Sequence, residues 1–244
     1  MTMKSQIDAM RSLIYVAAVE NDMSHLASGN DQKNAIARTA LYTPIVKGWI
    51  TEQAQEITSL AVQVHGGMGF IEETGVAQHA RDARILPIYE GTNGIQAIDL
   101  IGRKLHSDKG VAMMSLLAEI ESEVAEWQTS SVSAYAEKVD VILDQAKNAT
   151  QTCLATMEKD PVLGTGLAYS YMMLMGYLIG AWLQVRALHA AQNDEKLDDS
   201  QKSSWESSVA FYCDHILPRA LGHIHSIMFG TSTVDKLNKN AFNR

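Results

Sequence analysis

The chain has 244 residues, which is enough for one large domain or two small ones. Its formal net charge is −8, and this acidic balance argues against a nucleic-acid partner, which requires clustered Lys and Arg. Hydrophobic residues make up 46% of the chain, so a sizeable core can form and disorder is not expected. Only four prolines and little β-branched alternation predict an all-α fold.

Two features bear on the cellular compartment. Cys153 and Cys213, the two cysteines, lie far apart within helical patterns, which favours two buried thiols over a disulfide. Residues 1–10 lack the apolar segment of a signal peptide. We therefore expect a cytoplasmic protein.

The first predicted helix begins near Ser5 and stops at the helix-breaking residues 28–30. A short helix over 31–42 follows, and then a new start with Thr43 as N-cap and Pro44 in the first helical position. This third helix ends at the next glycine pair. Its inward-facing positions follow a 3.6-residue period and are Ile45, Trp49, Ile50, Ile57, Leu60, Ala61 and Val64.

A loop is expected over 65–70 and a helix over about 72–81. Residues 82–89 should be irregular, because they contain a proline. A further helix is predicted over 91–105. The polar, glycine-terminated stretch 106–110 is the best domain boundary.

Four long helices are predicted beyond this boundary, over about 111–127, 131–159, 161–193 and 199–229, and their short connections favour antiparallel packing. We interpret an apolar stripe on the last of them as core packing: Trp205, Val209, Cys213, Ile216 and Ala220.

Residues 161–185 carry no charge and contain a Gly-x-x-x-Gly pattern at Gly176 and Gly180. A bilayer span needs roughly 20 apolar residues, so this segment is long enough to cross a membrane. Its tyrosines and hydroxyl side chains make it less apolar than a typical span, and we interpret it as a central helix buried on all sides. No membrane span is expected. No metal site is expected either, because no spacing of His or Cys matches known ligand patterns.

The carboxylate of Glu90 stands at the start of the second of two glycine-bearing loops, GGMGF and EGTNG. It follows apolar Leu86, Ile88 and Tyr89 and precedes Gly91. An acid shielded by apolar neighbours suits a general base with a raised pKa, and the glycine lets a ligand approach closely. The alternative is a helix-capping glutamate at the end of a loop.

The segments QVHGGMGF, at 63–70, and RDARILPIYEGTNGIQ, at 81–96, resemble the C-terminal helical domain of the acyl-CoA dehydrogenase flavoenzymes. The resemblance covers roughly residues 5–108. The tail and its FYCDHILPRA segment resemble the subgroup with an appended C-terminal domain. The resemblance thus implies a four-helix-bundle domain over 1–108, incomplete at its start, and a second helical bundle over 109–244.

The resemblance implies a bound FAD and an acyl-CoA substrate, with Glu90 as the base that removes the α proton and Tyr89 and Gly91 beside the substrate. The implied cofactor-binding residues are Gln63, Val64, His65, Gly66, Gly67, Thr92, Asn93 and Gly94. The loop over 63–67 usually reaches FAD across a subunit interface in this family. Gly94 stands where family members often carry Gln, so only a backbone contact is expected there.

The family's N-terminal helical and middle β domains precede the matched region, and they are expected to be fused to this chain or carried by a partner chain. Without them we expect weak FAD binding and little turnover. A homo-oligomer and an electron-transfer flavoprotein as acceptor are also implied, while the acyl chain length is not readable. The rival hypothesis is a non-catalytic helical subunit that scaffolds or completes an oligomer.

Overall fold

The computed structural model describes residues 1–231, and within that range every regular element is helical. This confirms the predicted all-α fold for the described part of the chain. The α-helices are α1 (Thr2–Leu26), α2 (Gly29–Val64), α3 (Gly67–Phe70), α4 (Val76–Ala83), α5 (Asn93–Ile98), α6 (Val111–Trp127), α7 (Ser133–Lys159), α8 (Pro161–Thr165), α9 (Ala168–Gln192), α10 (Asp199–Phe211) and α11 (Ala220–Phe229). Short 3₁₀ helices cover Glu72–Thr74 and Leu217–Arg219, and π-helical turns cover Asp99–Leu105 and Tyr212–Ile216.

The centre of the fold is α9, which packs against α1, α2, α5, α7, α10 and α11. Every residue of α9 from Tyr171 to Val185 is buried, as expected for a helix surrounded on all sides. Nearly all the buried apolar residues form one cluster, to which residues before and after 108 contribute. The division into domains at 108 stays a prediction.

Gly176 and Gly180 lie on the face of α9 that receives Trp49 of α2. A Cβ atom at Gly176 would stand 2.1 Å from Cγ of Trp49, and one at Gly180 would stand 2.7 Å from the Tyr212 hydroxyl. The Gly-x-x-x-Gly pattern therefore allows close helix packing inside the chain. Within residues 1–231, no helix combines the length and the apolarity that a membrane crossing requires.

The predicted helix start at Thr43–Pro44 is wrong, because Pro44 lies inside the continuous helix α2. The Thr43 hydroxyl donates to the Thr39 carbonyl at 2.7 Å, which is a bond within the helix. A proline in a helix interior costs about 3 kcal/mol. Tyr42 and Ile45 on either side of it are buried, and each such burial contributes roughly 1.5–3 kcal/mol. Packing against the core thus outweighs the lost hydrogen bond.

Other predicted boundaries also differ. Helix α1 begins at Thr2, and the Ser5 side chain is buried inside it instead of capping it. The predicted helix over 199–229 divides at a π turn ahead of Pro218, which has no N–H to donate to the preceding turn. Two residues predicted to face inward are exposed: Val64 by 71% and Trp205 by 45%.

Both cysteines are free and buried, which confirms the prediction of two thiols without a disulfide. Burial raises the pKa of the Cys153 thiol, and that of Cys213, to about 12. A pKa of about 12 leaves only about one thiol in 10⁴ ionised near pH 8, and the thiolate is the reactive form. We expect a disulfide reagent to label the folded chain at least roughly 100-fold more slowly than the guanidinium-unfolded chain. Rapid labelling of the folded chain, with its circular dichroism unchanged, would contradict the burial.

Candidate functional site

Glu90 lies in a tight turn between α4 and α5. Its φ angle is +53° and that of Gly91 is +85°, so two successive residues adopt left-handed backbone conformations. This conformation is strained for a residue with a Cβ and costs about 1–2 kcal/mol. The Asn93 N–H donates to the Pro87 carbonyl at 3.0 Å, and the Gln96 side-chain amide donates to the Glu90 carbonyl at 3.3 Å. These two bonds close the turn around the carboxylate.

The start of α5 holds this turn against α2. Thr92 is the N-cap of α5, and its hydroxyl accepts a hydrogen bond from the Ile95 N–H at 3.3 Å. The Asn93 side chain is 3% exposed and points into the interface with α2. Its oxygen accepts from the Lys47 ammonium at 2.9 Å, and its nitrogen donates to the Glu52 carboxylate at 2.8 Å. The Asn93 side chain therefore faces α2.

The Glu90 side chain is exposed to solvent. Ile88 and Tyr89, which were predicted to shield it, are themselves 47% and 46% exposed. Leu86 is half-buried. The prediction that apolar neighbours shield Glu90 is therefore wrong within residues 1–231: Ile88 and Tyr89 are exposed to solvent, as Glu90 is.

Charged groups lie where the Glu90 turn meets α2. Burial lowers the pKa of the Lys47 ammonium, while the Glu52 and Glu90 carboxylates act in the opposite direction. Burial, together with the charge and hydrogen bond of Glu52, raises the pKa of the Tyr169 hydroxyl to about 12. Lys47 is thus a positive charge near Glu90, and Tyr169 of α9 meets the same cluster.

Sequence reasoning missed Lys47 and Glu52 as parts of this site. A signal was present in hindsight: Lys47 and Thr51 are four residues apart, so they share one face of α2, and Glu52 directly follows Thr51. The Thr51 hydroxyl lies 2.9 Å from the Asn93 amide nitrogen.

The glycine loop at the end of α2 is exposed from Gln63 to Met68, including His65. Gly66 has φ +58° and ψ −142°, a conformation essentially restricted to glycine. A Cβ at Gly69 would stand 2.3 Å from the Val62 carbonyl oxygen, so this glycine lets the chain fold back onto α2. Part of the predicted loop forms the short helix α3.

The two glycine segments do not come together in one chain. Asn93 anchors the Glu90 turn to α2 near Glu52, whereas the other loop begins at Gln63. The helical rise along α2 from Glu52 to Gln63 is roughly 17 Å. A cofactor that touches both segments of one chain would have to extend over that distance.

The residues present fit the edge contacts of a large cofactor such as FAD. An added Cβ at Gly66 or Gly67 would meet nothing within 4 Å, so the backbone there is open to a ligand. At Gly94 the nearest atom to an added Cβ is the Thr92 hydroxyl, 3.8 Å away. Thr92 and Gly94 thus leave space beside the turn. Both surfaces are open, so they contact one side of a ligand and do not enclose it.

Other concave or polar features lie elsewhere. A cavity of about 680 Å³ lies between α1, α2 and α6, where Glu20, Arg38 and Glu119 line it. In the described part of the chain, no three His, Cys, Asp or Glu side chains are placed to share a metal ion.

Sequence profiles of two protein families match the chain. The profile described as "Acyl-CoA dehydrogenase, C-terminal domain" matches residues 1–106, and "Acetyl-CoA dehydrogenase C-terminal like" matches residues 116–238. The chain is 38% identical to 3-methylmercaptopropionyl-CoA dehydrogenase of Ruegeria pomeroyi over 82% of this chain and 34% of the relative. It is 31% identical to the broad-specificity linear acyl-CoA dehydrogenase FadE5 of Mycobacterium tuberculosis over 89% of this chain and 38% of the relative.

The fold also matches a solved structure. The acyl-CoA dehydrogenase of Bacillus anthracis, solved as a complex with FAD, superposes with a TM-score of 0.71 and 17% sequence identity. The match covers 98% of this chain and 42% of that one. The chain thus spans between a third and about two fifths of the length of these proteins. Both halves of the sequence match the helical C-terminal region, and the chain therefore belongs to the acyl-CoA dehydrogenase family.

Proposed function

We propose that this chain is the C-terminal part of an FAD-dependent acyl-CoA dehydrogenase, in which Glu90 removes the α proton of the acyl-CoA thioester. The observation that carries the proposal is the strained, anchored turn that presents the Glu90 carboxylate beside Gly91. Strained backbone conformations are concentrated at functional sites, and the anchored strain at this exposed carboxylate supports such a role.

Glu90 acts as the general base. A solvated carboxylate is a weak base, and its exposure here means that desolvation comes from the substrate and from domains outside this chain. Gly91, beside the base, would lie next to the thioester; its φ of +85° favours glycine, and a Cβ there would stand 3.1 Å from the Gln96 side-chain nitrogen that bonds the Glu90 carbonyl. Tyr89 precedes Glu90 in the sequence, and its exposed ring is proposed to lie beside the substrate. Bound FAD would accept the hydride that leaves the β carbon.

The FAD contacts come from two segments: the loop Gln63, Val64, His65, Gly66 and Gly67, and the residues Thr92, Asn93 and Gly94. Asn93 contributes through its backbone, since its side chain is bonded to α2. The separation of the two segments along α2 supports a homo-oligomer in which the glycine loop of one subunit serves the FAD of its neighbour. An electron-transfer flavoprotein is the proposed electron acceptor, and the cytoplasm is the proposed location.

The isolated chain should not retain FAD. Its two segments offer open surfaces only, and most of a flavin would remain in contact with water. We expect gel filtration of the 244-residue chain with excess FAD to yield a colourless protein peak. A yellow peak with stoichiometric flavin would show that this chain holds the cofactor alone.

The function is tested in a chimeric enzyme in which residues 1–244 replace the corresponding C-terminal part of the Ruegeria pomeroyi relative. We expect this chimera to bind FAD and to oxidise an acyl-CoA with a dye as electron acceptor. A chimera that folds and binds FAD but oxidises none of a series of acyl-CoA chain lengths would contradict the proposal and favour the non-catalytic scaffold.

A further inference from the structure

We propose that Asn93 is a positioning residue for Glu90: its side-chain amide, held between Lys47 and Glu52, fixes the strained turn onto α2. The inference rests on the proposed function for its catalytic consequence. Its structural part concerns residues of this chain alone and is testable without FAD or substrate.

The turn needs an anchor outside itself. Glu90 and Gly91 both have positive φ angles, and the bonds from Asn93 N–H to Pro87 and from Gln96 to Glu90 join the turn only to its own neighbours. A strained conformation persists only where the surrounding structure over-determines it. The Asn93 side chain supplies that link to the core, since it is buried and its hydrogen bonds within residues 1–231 all reach α2.

The charges around Asn93 define the orientation of its amide. The ammonium of Lys47 can only donate, and it lies 2.9 Å from the amide oxygen. The carboxylate of Glu52 can only accept, and it lies 2.8 Å from the amide nitrogen, which also lies 3.2 Å from the Gly48 carbonyl. Hydrogen bonds to charged groups are roughly twice as strong as neutral ones. An aspartate at this position would face Glu52 with a like charge, so the arrangement is specific for an amide.

The second half of the chain reaches the same cluster. Helix α5 packs on α9, and the Tyr169 hydroxyl of α9 interacts with the Glu52 carboxylate. Tyr169, which lies beyond residue 108, thereby interacts with the carboxylate that accepts a hydrogen bond from Asn93. The region after residue 108 is thus part of the cluster that surrounds the Asn93 side chain.

Hydrogen exchange of the isolated chain, followed by mass spectrometry, tests the anchor. We expect Asn93→Ala to raise the exchange rate of peptides covering 87–97 at least roughly 10-fold, since the amides of Asn93 and Gln96 lose their support. Asn148→Ala, at an exposed asparagine on α7, is the matched control and should leave these peptides unchanged. Equal exchange in both variants would overturn the proposal.

A second set of variants guards against general unfolding. Asn93→Asp should loosen the same peptides, and the double variant Asn93→Asp with Glu52→Gln should restore part of the protection, because it returns an amide–carboxylate pair while the bond to the Gly48 carbonyl stays lost. Tyr169→Phe should give a smaller loosening, whereas Tyr135→Phe, which removes a hydroxyl bonded to Glu206, should give none. Loosening that the double variant does not even partly reverse would contradict a specific amide–carboxylate contact.

In the chimeric enzyme, Asn93→Ala should lower kcat by roughly 10- to 100-fold and change KM less than about 3-fold, as expected when a base is displaced but binding surfaces remain. The outcomes separate the two claims. Loosened exchange together with full activity of Glu90→Gln would refute the proposed function and leave the anchor standing. Unchanged exchange together with an inactive Glu90→Gln would refute the anchor alone.

Discussion

Replacing Glu90 with Gln in the chimeric enzyme is expected to slow flavin reduction by roughly 10³- to 10⁴-fold while FAD stays bound. Glutamine keeps the size and polarity of the side chain but cannot accept the α proton. The turn should stay intact, because the bonds that close it use the backbone carbonyl of Glu90 and not its carboxylate. Stopped-flow mixing with acyl-CoA under anaerobic conditions measures the loss of the flavin's visible absorbance.

The matched control is Glu126→Gln, which removes an exposed carboxylate near the end of α6. It should leave flavin reduction unchanged. Reduction by Glu90→Gln at a rate within a few-fold of the control would remove Glu90 from the role of base, whatever the flavin content.

Gly176→Ala is expected to destabilise the isolated chain by about 3 kcal/mol, at the upper end of the usual cost of overpacking a core. The added Cβ would stand 2.1 Å from Cγ of Trp49, and both residues are buried, so neither helix can move aside without breaking other contacts. This cost exceeds the roughly 0.5–1 kcal/mol that alanine gains over glycine inside a helix. Urea unfolding followed by circular dichroism measures the change.

The control for this substitution is Gly222→Ala. Gly222 also lies inside a helix, α11, but an added Cβ there would meet nothing within 4 Å. We expect this variant to equal the parent chain or to exceed its stability by up to about 1 kcal/mol. Equal midpoints for the two alanine variants would mean that α9 and Trp49 do not pack as closely as described.

The predicted helices were most accurate where local patterns and packing agree. The helix over 111–127 was predicted with its observed ends, because a glycine and a polar turn bound it. The break at Pro44 was wrong, since the local preference of proline was overcome by the burial of Tyr42 and Ile45, which depends on helices distant in sequence. A rule that considers only neighbouring residues in the sequence cannot include the stabilisation gained from that burial.

In the candidate site, too, local features could be predicted and contacts between distant residues could not. The motif makes Glu90 and Gly91 candidates, because glycine and carboxylate spacing is a property of the sequence alone, and their roles stay predictions. The anchor formed by Lys47 and Glu52 was missed, since it joins residues about forty positions apart. The shielding of Glu90 by Ile88 and Tyr89 was predicted wrongly, because neighbours in sequence need not fold over the group they flank.

The most direct measurement of the central claim is exchange of the α proton. The chimeric enzyme is incubated in deuterated water with an acyl-CoA whose β carbon is replaced by sulfur, so that no hydride can leave, and deuterium at the α carbon is followed by NMR. The parent and Glu126→Gln enzymes should introduce deuterium at the α carbon at equal rates. Glu90→Gln should show only the rate of exchange without enzyme. Undiminished exchange in Glu90→Gln would show that another group removes the proton.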